Sequence, residues 1–254
     1  MNHWVAFRTI VVKEVRRFTR IWPQTLLPPA VTTSLYFLIF GKLIGDRIGE
    51  IDGASYMEYI VPGVILMSVI SHSYANVVAS FYSTKFQRNI EELLVSPVPN
   101  WVILAGYVSG GIVRGIMVGL VVAMISLFFS DISVKHAGIS VAVFLLTATL
   151  FALAGFINAV FAESFDDISI IPSFVLTPLS YLGGVFYSVS MLPEVWQKIS
   201  LANPILYMIN AFRYGLIGVA DVNIDMAFAI TLGFIVVLTV FSLYLLYKGI
   251  GIKN

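Results

Sequence analysis

The residues with the most chemical potential in this chain sit inside or beside long apolar tracts: His72 and Asn76, Arg114, and the acidic trio Glu163, Asp166 and Asp167. His72 and Asn76 are four apart, so on a helix they share a face. That pairing could relay a proton, but a lone histidine with no carboxylate at its level is more often a hydrogen-bonded packing residue. Arg114 falls about 20 Å into the tract that begins near Trp101, close to mid-membrane. A central arginine costs at least ~2.5 kcal/mol to insert, so it must face a cavity or a partner. Bonding to backbone carbonyls, contact with a transported substrate and gating are the three roles open to it. The trio in AESFDDIS, residues 162–169, could bind Ca2+ or Mg2+, yet it lacks a glycine-spaced ligand loop. A conformational or partner-contact role is expected instead, with Asp166 or Asp167 capping the helix that follows. No metal site is expected.

Enzyme motifs are missing. Gly41-Lys42 is followed by Leu43 inside an apolar tract, so it is no P-loop. There is no HExxH, no nucleophile elbow and no cysteine, which removes disulfides and thiolate chemistry together. No catalysis and no cofactor are expected on this chain.

The elements that must position these residues are membrane spans. Hydrophobic residues make up 59% and charged ones 11% of the 254 positions, against about half and a quarter in a soluble domain. So much apolar surface requires lipid as solvent. A net charge of +1 argues against nucleic acid, which needs a basic patch. Six tracts reach the roughly 20 residues that a span needs: 24–44, 58–82, 102–129, 138–162, 168–188 and 226–247. The fold class expected is an all-α membrane protein with six transmembrane helices in one domain. No small-residue cleavage site follows a short apolar core, so the N-terminus does not read as a signal peptide. Arg8, Lys13, Arg16, Arg17, Arg20, Lys85, Arg88, Lys248 and Lys253 all fall on one side of six spans, with fewer basic residues opposite. By the positive-inside rule that side, with both termini, is cytoplasmic.

Three segments are neither span nor simple loop. Trp4, Phe7, Val11, Val15, Phe18 and Trp22 recur at helical spacing, with Lys13, Arg16, Arg17 and Arg20 opposite and Ile10 as a blemish. This pattern fits a helix in the interface plane, either a topology signal or a link to a cytoplasmic partner. Pro23, Pro28 and Pro29 are expected to turn it sharply into the first span. In KFQRNIEELLVSPVP, residues 85–99, Phe86, Ile90, Leu93 and Leu94 form one apolar face. Arg88, Asn89, Glu91 and Glu92 project from the rest. Mixed charge fits a protein groove better than an anionic lipid surface, so a docking helix over 85–96 is favoured. Residues 192–217 hold two apolar stretches broken at Asn203-Pro204. At about 15 and 20 Å they are too short to cross, and read as re-entrant helices lying against protein or water. Within the third span, Gly106 and Gly110 precede Gly111-x-x-x-Gly115-x-x-x-Gly119, a ridge for close helix contact.

Taken together the chain resembles permeases of the ABC type-2 exporter superfamily, and the YadH-like subfamily most closely. The resemblance covers nearly the whole sequence. It is carried by IWPQTLLPPAVTTSLYFLIFG (21–41), YIVPGVILMSV (59–69), residues 85–99, FDDISIIPSFVLTPLSYLGGVFYSVSMLP (165–193) and NPILYMINAFRYGLIG (203–218). It implies a homodimer in the bacterial inner membrane with two copies of a separate ATPase subunit, which carries the ATP and Mg. It also implies a connecting helix at 3–22 and a coupling helix that enters a groove on the ATPase. The segment 192–217 becomes an outer gate, placing Asn203, Pro204, Tyr207, Phe212 and Arg213 there. The implied activity is export of an amphiphilic or lipid-like substrate. Two other classes stay open: an ion-coupled secondary transporter using His72, Arg114 and Glu163, and a non-transporting membrane assembly protein.

Overall fold

The computed structural model describes residues 3–131 and 133–251, apart from the side chain of Leu94; Lys253 lies outside the described residues. Five helices are long and apolar enough to cross a membrane: α2 (Trp22–Ile48), α3 (Tyr56–Phe86), α5 (Asn100–Ser126), α6 (Ala137–Phe161) and α10 (Ile224–Lys248). The chain is therefore an all-α, multi-pass membrane protein. Helix α1 (His3–Thr19) precedes them, and α4 (Asn89–Val95) joins α3 to α5. The sixth expected tract behaves differently. Helix α7 (Asp167–Leu182) reaches only about 24 Å, and its helix ends six residues before the expected boundary of 188. Gly184, at φ +72°, turns the chain there. The residues beyond it pack on the start of α3: Val185 sets its backbone against Gly63, and Tyr56 Oη donates to the Phe186 carbonyl at 3.0 Å.

Both termini described lie at one end of the bundle, where Gly251 meets Val160 and α1 meets the start of α5. The opposite end carries a two-residue hairpin, β1 (Glu50–Ile51) with β2 (Ala54–Ser55). Asp52 and Gly53 both take positive φ, 52° and 78°, the conformation that an Asp-Gly hairpin turn uses. Ser55 and Glu58 then cap α3 reciprocally.

Helix α3 is the axis, packed on α5 and α6 along most of its length. Tyr59, Leu66, Ile70 and Phe81 are fully buried on it. Close approach depends on the glycine ridge: a Cβ at Gly111 would meet Val77 at 2.6 Å, and one at Gly115 would meet Ser73 Oγ at 2.1 Å. By contrast α2 and α10 turn Leu27, Val31, Leu35, Val236, Val237 and Val240 outward, as lipid-facing helices do. Pro28 and Pro29 lie inside α2, not at its entry as expected. The corner falls instead at Arg20-Ile21, between α1 and α2, with Pro23 in the first turn, where its missing N–H costs nothing.

Candidate functional site

The expected docking helix is shorter than 85–96. Helix α3 runs through Lys85 and Phe86, and the chain then bends at Gln87-Arg88, where Arg88 adopts left-handed φ 60°. Phe86 consequently leaves the apolar face predicted for it. It is 63% exposed and stacks edgewise on Phe165 at 5.1 Å. What remains, α4, is anchored by Ile90, which is buried, and by half-buried Leu93. Leu94 lies in the helix, but its side chain is outside the described residues. Arg88, Asn89, Glu91 and Glu92 are all exposed and form a charged face outside the bundle. The root of α4 is tied down by Lys85, whose Nζ donates to the carbonyls of Val160 and Ala162, both at 2.8 Å.

Helix α1 does not present the face that its aromatic stripe predicts. Trp4 is 65% exposed, whereas Ile10, Glu14 and Phe18 are buried. The reason is α5: Gly106 and Gly110 open a slot into which Ile10 and Glu14 press, at 2.5 and 2.6 Å from where a Cβ would stand. Lys13, Arg16 and Arg20 stay exposed, but Arg17 turns inward. Its Nη2 donates to Asn76 Oδ1 at 2.8 Å, to the Asn76 carbonyl at 3.0 Å and to Glu14 at 3.4 Å. Glu14 in turn accepts from Ser80 Oγ at 2.6 Å. An acidic residue, Glu14, thus approaches the level of Arg114, through Gly110 one turn before it on α5. Arg114 lies within electrostatic reach of Arg17 and His72. Its Nε is buried without an acceptor, so carbonyl bonding does not extend to that nitrogen. His72 Nδ1 likewise lacks the packing hydrogen bond expected of it.

At the hairpin end, α8 (Glu194–Leu201) and α9 (Pro204–Ile217) follow α7. Helix α8 is largely exposed, whereas α9 is buried among α3, α6 and α10. Asn203 caps α9 through Ile205 N at 3.0 Å and donates to the Leu179 carbonyl at 2.6 Å, with Pro204 as the first helical residue. Tyr207 Oη bonds the Leu201 carbonyl at 2.8 Å, which fixes the angle between the two helices. Phe212 packs beside Phe144 at 6.0 Å. Arg213 does not line an opening. It is completely buried, stacks 3.8 Å from the Tyr59 ring centroid, and donates to the carbonyls of Tyr59 and Gly184 and to Asn210 Oδ1. Asp221 approaches it at 4.0 Å. That carboxylate also accepts from Ser188 Oγ at 2.7 Å, from Tyr59 Oη at 3.3 Å and from Val189 N. Sequence reading missed Asp221. An arginine in an apolar helix signals that a counter-ion is needed, but nothing local says where.

The acidic trio does not converge. Asp167 accepts from the backbone N–H groups of Glu163 and Ser164, both at 2.9 Å, and Ser164 Oγ accepts from Asp167 N at 3.1 Å. This is a reciprocal cap on α7. No group of three or more His, Cys, Asp or Glu that could hold a metal occurs among the described residues.

An exposed charged helix at one end of an apolar bundle, and short helices clasped at the other, are the architecture of a multi-pass membrane protein. A family profile described as ABC-2 type transporter matches residues 5–217, and the chain belongs to that family. It is 56% identical over 253 residues to "Inner membrane transport permease YadH" of Escherichia coli (strain K12), covering 99% of this chain and 98% of that one. More distant are "Nodulation protein J" of Sinorhizobium fredii (strain NBRC 101917 / NGR234), 26% identical over 71% of this chain and 69% of the relative, and its namesake from Rhizobium leguminosarum bv. viciae, 24% identical over 80% and 79%. By its family and by the transport permease it matches along its length, the chain is a transporter component, not an enzyme.

Proposed function

We propose that the chain is the permease subunit of an ATP-driven exporter in the bacterial inner membrane. It acts as a homodimer with a separate ATPase subunit that carries the ATP and Mg. In this reading α7 with residues 183–188 is a sixth crossing, both termini are cytoplasmic, and α8 and α9 close the outer side. The observation that supports it best is α4: four charged or amide side chains point away from the bundle on a helix anchored by Ile90. Closure of the ATPase pair would push α4, and Lys85 hands that push to the ends of α3 and α6. Rocking the two copies would open a path for an amphiphilic or lipid-like substrate past α9. The test is Glu91→Arg with Glu92→Arg. Transport and stimulated ATP hydrolysis in liposomes should fall at least tenfold while insertion is unchanged; undiminished stimulation would sink the proposal, as would failure of any ATPase to copurify.

A further inference from the structure

Eleven buried side-chain nitrogens and oxygens lack a hydrogen-bond partner among the described residues. Four of them face each other in two pairs, Tyr74 with Asn158 and Tyr187 with Ser200. Five of the others gather at one place, the junction of α1, α3 and α5: Arg17 Nε, His72 Nδ1, Ser73 Oγ, Asn76 Nδ2 and Arg114 Nε. A buried polar group left unpaired costs about 1–3 kcal/mol, so native proteins do not concentrate such groups without cause. The chemistry of the five is one-sided. Both Nε atoms and Asn76 Nδ2 can only donate, and His72 and Ser73 can do so. Acceptors are scarce, because Glu14 is already engaged by Ser80 and Arg17. Two guanidinium groups against one carboxylate leave one positive charge uncompensated.

His72 connects this cluster to open space. It also lines a groove of about 220 Å3 between α2 and α3, where Thr32, Tyr36, Ser68 and Ser71 share the walls with Val64 and Met67. That volume equals roughly seven waters at about 30 Å3 each. A groove of mixed polar and apolar lining, backed through His72 by surplus donors and a positive charge within the bundle, matches an amphiphile whose head is rich in acceptors and negatively charged. We propose that this groove binds the anionic headgroup, phosphate or carboxylate, of an amphiphile, with His72, in the groove wall, as its first donor and the charge of Arg114 and Arg17 behind it. The proposal rests on the transporter reading for its biological setting, but the site is a property of this chain alone.

The test needs no nucleotide. Binding of fluorescent phosphatidylglycerol is compared with that of fluorescent phosphatidylcholine on the purified full-length protein in phosphatidylcholine nanodiscs. The wild type should prefer the anionic lipid about tenfold. Arg114→Gln and His72→Gln should each bring the ratio towards unity, Arg114→Lys should keep part of it, and Val113→Gln, on an exposed position of the same helix, should leave it unchanged. Inorganic phosphate separates the sources: competition at millimolar concentration identifies a soluble anion as the ligand of this site, and its absence identifies a lipid. Equal binding of both lipids by the wild type overturns the proposal. So does an unaltered preference in folded His72→Gln, which keeps the test decisive if Arg114→Gln does not insert. Because Glu91→Arg with Glu92→Arg should retain the lipid preference, loss of coupling and loss of the anion site are read separately.

Discussion

Each end of the bundle sets an arginine beside a carboxylate, and the two arrangements differ in their arithmetic of donors and acceptors. At the hairpin end Arg213 meets two backbone carbonyls, Asn210 Oδ1, an aromatic face and Asp221, and Asp221 is itself bonded by Ser188, Tyr59 and Val189. At the other end Arg17 meets Asn76 and Glu14, and a second arginine stands nearby with its Nε unpaired. Saturated polar networks fix one geometry. An unsaturated one keeps capacity for something else. The first therefore reads as a clasp that holds α3, α9 and the 183–189 turn together, and the second as a joint.

The sharpest way to break the comparison is Arg213→Leu. Removing one member of a fully buried network should cost about 4 kcal/mol and appear as lost folded yield in detergent. Adding Asp221→Leu should not restore it, since the Gly184 carbonyl and Asn210 Oδ1 still lose the donor that Arg213 gave them. Glu14→Leu should cost less, about 2 kcal/mol, because Arg17 retains 32% exposure and can reach water. Here the double variant with Arg17→Leu should recover much of the loss, measured as a shift in unfolding midpoint. Non-recovery would mean that the terminal end is as rigidly specified as the clasp. Gly110→Ala should cost about 1.5 kcal/mol, since its new methyl group meets Glu14 Cβ at 2.6 Å and must lift α1; cross-linking of α1 to α5 should fall in parallel. The smallest effect belongs to Asn203→Ala, about 1 kcal/mol from one lost cap, with α9 still held by Arg213.

Much of this was legible beforehand. The long spans were readable from hydropathy because lipid demands uninterrupted apolar length, and the glycine ridge from its spacing. The break between two short helices was visible in Asn203-Pro204. Faces were harder. On α1 two stripes share helical spacing, Trp4-Phe7-Val11-Val15-Phe18 and Phe7-Ile10-Glu14-Phe18, and only the slot at Gly106 and Gly110 on another helix decides between them. The signal available was that those two glycines precede the ridge and need an occupant. Glu14 stood out only as the single acid among five cations. Phe86 was misplaced because the bend at Arg88 uses a positive φ that its residue type does not advertise. Asp52-Gly53 did carry a hairpin signal, though the apolar pattern around it is too short to draw attention.

Lys85 has a consequence of another kind. Helices α3 and α6 run side by side in the same direction, so their negative dipole ends meet at the same level and repel. A single ammonium group seated on the Val160 and Ala162 carbonyls, in the last turn of its own helix, acts as mortar between two like poles. The chain can therefore bring two parallel rods to a common tip without a loop to bind them, and whatever pulls on that tip pulls on both at once.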